Sequence, residues 1–76
     1  MSPKLPVVSG PQIVRALERR GFQQVGQRGS HVKLRRSLPD GIRTVIVPLH
    51  HELAPGTLKS ILRQAGLTIE ELEGLL

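Results

Sequence analysis

The 76-residue sequence has no cysteine, no tyrosine and no tryptophan, and a single phenylalanine is its only aromatic residue. Without cysteine there is no disulfide framework and no thiolate zinc site. A core lacking Tyr, Trp and Cys has to be assembled from Leu, Ile and Val. One ring also leaves little material for stacking bases, which argues against a stacking reader of single-stranded nucleic acid. No run approaches the ~18–20 apolar residues of a membrane span. The first eight residues, interrupted by Pro3 and Pro6, do not read as a signal peptide. A soluble cytoplasmic protein with no membrane partner is expected. At this length the chain supports one small domain with a thin core.

Acidic residues are scarce and unevenly placed. Residues 1–63 hold all 11 Lys and Arg but only Glu18, Asp40 and Glu52, a net +8, whereas residues 64–76 carry Glu70, Glu71 and Glu73 and no base. A basic body with a sequence pI near 11.2 is the electrostatic footprint of a polyanion binder, nucleic acid first among the candidates. A solvated basic surface without a ligand is the plainer alternative.

Hydrophobic spacing orders the rest of the chain. Residues 1–8 read as an extended arm, because Pro3 and Pro6 restrict their neighbours. Ser9 caps a helix that has Pro11 in its first turn, Ile13, Val14 and Leu17 as its apolar stripe, and Gly21 at its end. Arg15 and Arg19 lie on its other side, with Glu18 placed to neutralise them in part. Phe22 to Gln27 reads as a strand, irregular near Gly26, and Arg28-Gly29 as a turn. In Ser30 to Arg36, Val32 and Leu34 alternate with His31, Lys33 and Arg35, so one face is apolar and the other cationic. Residues 37–41 read as a turn, and Ile42 to Val47 as a third strand closed by Pro48. A loop carrying His50, His51 and Glu52 leads to a second helix at Pro55, with a basic ridge at Lys59 and Arg63 and a stop at Gly66. Thr68 and Glu71 form a capping box, stapled by Leu67 and Leu72, for a short third helix. The predicted fold class is α+β: a two-layer α-β-β-β-α sandwich with a three-stranded antiparallel sheet, two helices on one face and a short extra C-terminal helix. Its extent is residues 9–76, after the arm of residues 1–8.

Histidines are the only side chains suited to proton transfer near neutrality. His31 heads a strand whose same-face neighbours are Lys33 and Arg35. Two cations beside an imidazole favour its neutral form, which a general base needs, and they can also hold a phosphate in front of it. Gly29 and Ser30, immediately before it, let backbone approach a phosphate closely. His50 is a candidate auxiliary acid or base. Adjacent His50 and His51 point to opposite sides of an extended segment and lack the spacing of a helical metal motif, so no metal site is expected. No P-loop, dinucleotide fingerprint, Ser-His-Asp set or pair of carboxylates is visible in the basic body.

The residues Gly29-Ser30-His31, the segment Val47-Pro48-Leu49-His50 and the run from Pro55-Gly56-Thr57-Leu58 to Gln64-Ala65-Gly66-Leu67 resemble the HicA (YcfA-like) mRNA interferase toxins. The likeness covers Ser9 to Leu67. It implies a fold like that of double-stranded-RNA-binding domains, and a toxin of a type II toxin–antitoxin module that cleaves mRNA with relaxed sequence preference. It implies RNA and a HicB-type antitoxin as partners, with no cofactor. The family's catalytic histidine falls on His31 and its second motif histidine on His50; nothing carries over to His51. RNA contacts are expected from Gly29, Ser30, Lys33, Arg35, Lys59 and Arg63. Two other classes stay open beside the enzyme: a non-catalytic RNA-binding module or degenerate toxin, and an interaction protein whose basic face meets an acidic partner. The free oligomeric state, monomer or higher, is open as well.

Overall fold

The computed structural model describes residues 4–76. The first three positions of the expected arm, Met1 to Pro3, lie outside it. The elements run α1 (Gly10–Arg19), β1 (Gln23–Arg28), β2 (His31–Leu38), β3 (Gly41–Pro48), α2 (Pro55–Ala65) and α3 (Ile69–Leu75). The three strands form one antiparallel sheet in the order β1-β2-β3. This is the predicted α+β fold with its additional helix.

The strands differ in length from the sequence expectation. Both hairpin turns take only two residues, Gly29-Ser30 and Pro39-Asp40, so β2 and β3 run on to a Leu38–Gly41 pair. Ser37 and Leu38, turn residues by pattern, extend the ladder, because a proline followed by Asp-Gly suffices for reversal. β1 begins after Phe22 and includes Arg28. Phe22 sits in the core just ahead of the strand, and all six β1 residues are exposed. The irregularity near Gly26 is a register shift between Gln24 and Gly26.

Alternation along the central strand decides which side of the sheet is covered. Val32 and Leu34 of β2, with Val45 and Val47 of β3, point into the core. They meet Ile13, Val14, Ala16 and Leu17 of α1 and Leu58, Ile61, Leu62 and Ala65 of α2. The aliphatic core expected from composition is what forms. The odd-numbered β2 residues, His31, Lys33, Arg35 and Ser37, stand on the opposite face.

Capping holds the helices in place. Ser9 and Gln12 exchange side-chain and backbone hydrogen bonds around the start of α1, a reciprocal box of which only Ser9 was expected. Thr68 and Glu71 do the same for α3, and Leu67 and Leu72 are both buried at that staple. Glu18 does not neutralise Arg15 or Arg19. Its carboxylate faces the Gln24 amide at 3.5 Å, while Arg19 donates to the Leu75 carbonyl oxygen at 2.7 Å. Within the arm Val8 is buried, and its carbonyl accepts from the Leu53 amide at 2.8 Å.

Candidate nucleic-acid interface and catalytic histidine

The site is built at the β1–β2 turn. Gly29 has φ +58, a left-handed conformation that costs other residues energy, and the Gln27 side-chain amide donates to its carbonyl at 3.0 Å. A two-residue loop makes Arg28 and His31 direct cross-strand partners. Directly paired residues share a face, so the Arg28 and His31 side chains leave the sheet on the same side. Two residues along β2 comes Lys33, then Arg35. His31 and Arg35 are exposed and Lys33 is half-buried.

On the other flank His31 pairs with Pro48. Beyond Pro48 the Leu49 amide donates to the Ser30 carbonyl at 2.7 Å, and the Gly10 amide donates to the His50 carbonyl at 2.8 Å. The N-terminus of α1 therefore clamps the backbone of His50. The clamp requires glycine at position 10: a Cβ there would run into the Pro48 carbonyl oxygen and lie 2.7 Å from the Leu49 Cα. As a result the imidazoles of His31 and His50 stand edge to face, 6.5 Å between ring centres at 76°. Both residues are exposed, and among the described residues no hydrogen bond reaches either ring. Each ring is thus unengaged and open to a ligand.

Electrostatics reinforce the geometry. Residues 23–48 carry five cations against Asp40 alone; Arg28, Lys33 and Arg35 share the face of His31, while Arg36 and Arg43 stand on the helix side, against Gly21 and Gly66. Among the described residues the one ion pair is Arg20–Glu71 at 2.7 Å, at the far end of α1 from Gly10. Glu71 is held below its usual pKa of 4.5 first by the Thr68 amide, then by the Thr68 hydroxyl, and further by Arg20. Among the described residues the cations of the helix-free sheet face have no such carboxylate.

The expected site residues divide into two groups. Gly29, Ser30, His31, Lys33 and His50 come together around the β1–β2 turn and the exit of β3, whereas Arg35, on the same face, stands four residues along β2, opposite Gln23 and Thr44. Lys59 and Arg63 do not join them: they line a groove with Leu5, Leu62, Leu67, Ile69 and Glu70, in the helical layer. His51 is exposed beside Ser9 and Pro11. Among the described residues no three His, Asp or Glu side chains converge. The only aromatic carbocycle, Phe22, is 2% exposed, so it offers no stacking platform.

Two contributors are not evident from the sequence pattern. Arg28 reads as a turn residue, and only the loop length could place it opposite His31. Gly10 reads as part of a helix start, and its role depends on a strand end 38 positions further along the chain.

Residues 10–67 match the family described as HicA toxin of bacterial toxin-antitoxin. No curated protein matches the chain.

Proposed function

The chain belongs to the HicA toxin family, and from that premise we propose that it is an RNA-cleaving toxin whose general base is His31. The observation that carries this reading is the exposed His31 ring, on a face of unpaired cations and 6.5 Å from His50. Neutral His31 takes the proton from a ribose 2′-hydroxyl. The resulting oxygen attacks the adjacent phosphorus, and the bond from phosphorus to the 5′-oxygen breaks. Protonated His50 supplies the proton that the departing 5′-oxygen needs. The products are a 2′,3′-cyclic phosphate and a 5′-hydroxyl.

Arg28 and Lys33 hold the phosphate and stabilise charge as it develops on the non-bridging oxygens, and Arg35, further along the same face, meets a neighbouring phosphate of the strand. The Gly29-Ser30 turn gives the backbone close access to the same group. The nucleophile belongs to the substrate, so the step requires no metal. With no exposed ring to stack on bases, recognition runs through phosphates and 2′-hydroxyls, which suits a relaxed sequence preference. A HicB-type antitoxin silences the toxin by covering His31.

The test is incubation of defined RNA with the protein and its His31→Ala variant in the presence of a chelator. Cutting by the parent protein alone is the expected result. Equal cutting by a folded variant removes His31 from the mechanism. No cutting by either, with RNA still bound, identifies a non-catalytic RNA-binding module.

A further inference from the structure

The two halves of β3's outer edge are treated differently. In the half near His31 the Ile46 amide donates to the Gln64 side-chain oxygen of α2 at 3.1 Å, and Pro48 has no amide hydrogen to offer. Because Ile46 points its amide away from β2, the period of an antiparallel ladder turns the amides and carbonyls of Thr44 and Ile42 the same way. Among the described residues neither finds a partner on that side. Open edges are normally shielded by a proline, a charge or a covering element. Here neither a proline nor a covering element reaches past Ile46, and the one charge on this half, Arg43, stands on the helix side of the strand against Gly66.

The side chains at this half of the edge are apolar as well. Ile42 is 66% exposed and Ile46 40%, with Thr44 between them on the helix-free face. Arg35 lies directly across from Thr44 on β2, and Lys33 across from Ile46. The edge therefore combines free backbone groups, alternate apolar side chains and a cationic neighbour strand.

We propose that the Ile42–Thr44 edge of β3 receives an extended, acidic segment of a partner protein, which adds a fourth strand to the sheet. Its backbone pairs with Ile42 and Thr44, its apolar side chains cover Ile42 and Ile46, and its carboxylates meet Lys33 and Arg35. A second copy of this chain fits poorly, since antiparallel pairing through Ile42 and Thr44 would set Arg43 of one copy directly opposite Arg43 of the other. Gln64 ends the pairing at Ile46, which leaves the segment free to pass onto the face that carries His31. The inference rests on the toxin–antitoxin family for a protein partner and stands apart from RNA cleavage.

The experiment is a titration of the isotope-labelled protein with a nine-residue peptide whose odd positions run valine, glutamate, valine, glutamate, valine with threonine between them, so that valines and glutamates share one face, read by backbone-amide NMR. Shifts and slowed exchange centred on the Ile42 and Thr44 amides are expected. Replacing glutamate by lysine should weaken binding at least tenfold, and N-methylation of alternate peptide amides should do the same. Binding that survives N-methylation, or shifts scattered over all arginines, would reduce the effect to charge and overturn the proposal. Concentration-dependent shifts at these amides without peptide would assign the edge to a second copy. Equal shifts there with an RNA duplex would assign it to nucleic acid. Because peptide binding is the readout, its failure is separable from a failure to cut RNA.

Discussion

Arginines at the two ends of this small molecule have opposite fates. At the C-terminus of α1, Arg20 is paired with Glu71 and Arg19 donates to the Leu75 carbonyl, so both are absorbed in docking α3. On the helix-free face from the β1–β2 turn along β2, exposed Arg28 and Arg35 and half-buried Lys33 have no carboxylate partner among the described residues. The chain has few acids, and among the described residues the one held in an ion pair serves the helix appended beyond the family match. The lesson is that net charge alone is a poor guide to a binding face. What identifies that face is which cations the fold leaves uncommitted.

The largest effect should fall on chemistry at the uncommitted end. His31→Ala is expected to lower the cleavage rate by about 10²- to 10⁴-fold, the usual worth of a positioned base, with little change in RNA affinity or melting temperature. Single-turnover cleavage and a binding isotherm on the same sample check this. Gly10→Ala comes next. Its collision with Pro48 should cost about 1–3 kcal/mol of stability, measured by urea unfolding, and should slow cleavage by releasing the His50 clamp.

Smaller changes separate the two sets of cations directly. Arg28→Gln and Lys33→Gln should each weaken RNA binding and lower the slope of log affinity against log salt by roughly 0.7–0.9 for every phosphate left without its cation. Arg20→Gln should leave that slope alone and loosen α3 instead. The smallest effect concerns acid. Folding lowers the pKa of Glu71, so its contribution to stability is present above the usual value of 4.5 and is lost as pH falls through the lowered one. Glu71→Gln should flatten the loss of α3 helicity on acidification, followed by circular dichroism and amide exchange.

Much of this was legible from residue pattern because alternation and helical spacing report burial directly. Val32 and Leu34 against His31, Lys33 and Arg35 defined both faces of β2, and the Thr68–Glu71 box with Leu67 and Leu72 defined α3. Strand ends were less legible. Turn-forming residues such as Ser37 mark the neighbourhood of a reversal, not the two residues that make it. Arg28 was hidden for the same reason, since a shift of one residue in the turn would remove it from His31. Gly10, His50 and Gln64 work by touching segments far away in the chain, and local pattern carries no signal of such meetings. Lys59 and Arg63 show the converse: a helical basic ridge was plain in the sequence, yet the fold gives it a groove in the other layer.

The most direct measurement is cleavage of an RNA oligonucleotide carrying a single 2′-deoxy position at the scissile nucleotide. A base acting through His31 on the substrate's own hydroxyl predicts unchanged binding, no cut at that position, and 2′,3′-cyclic phosphate ends on the unmodified control. Cleavage of the deoxy position, or products ending in a 3′-hydroxyl and a 5′-phosphate, would contradict it.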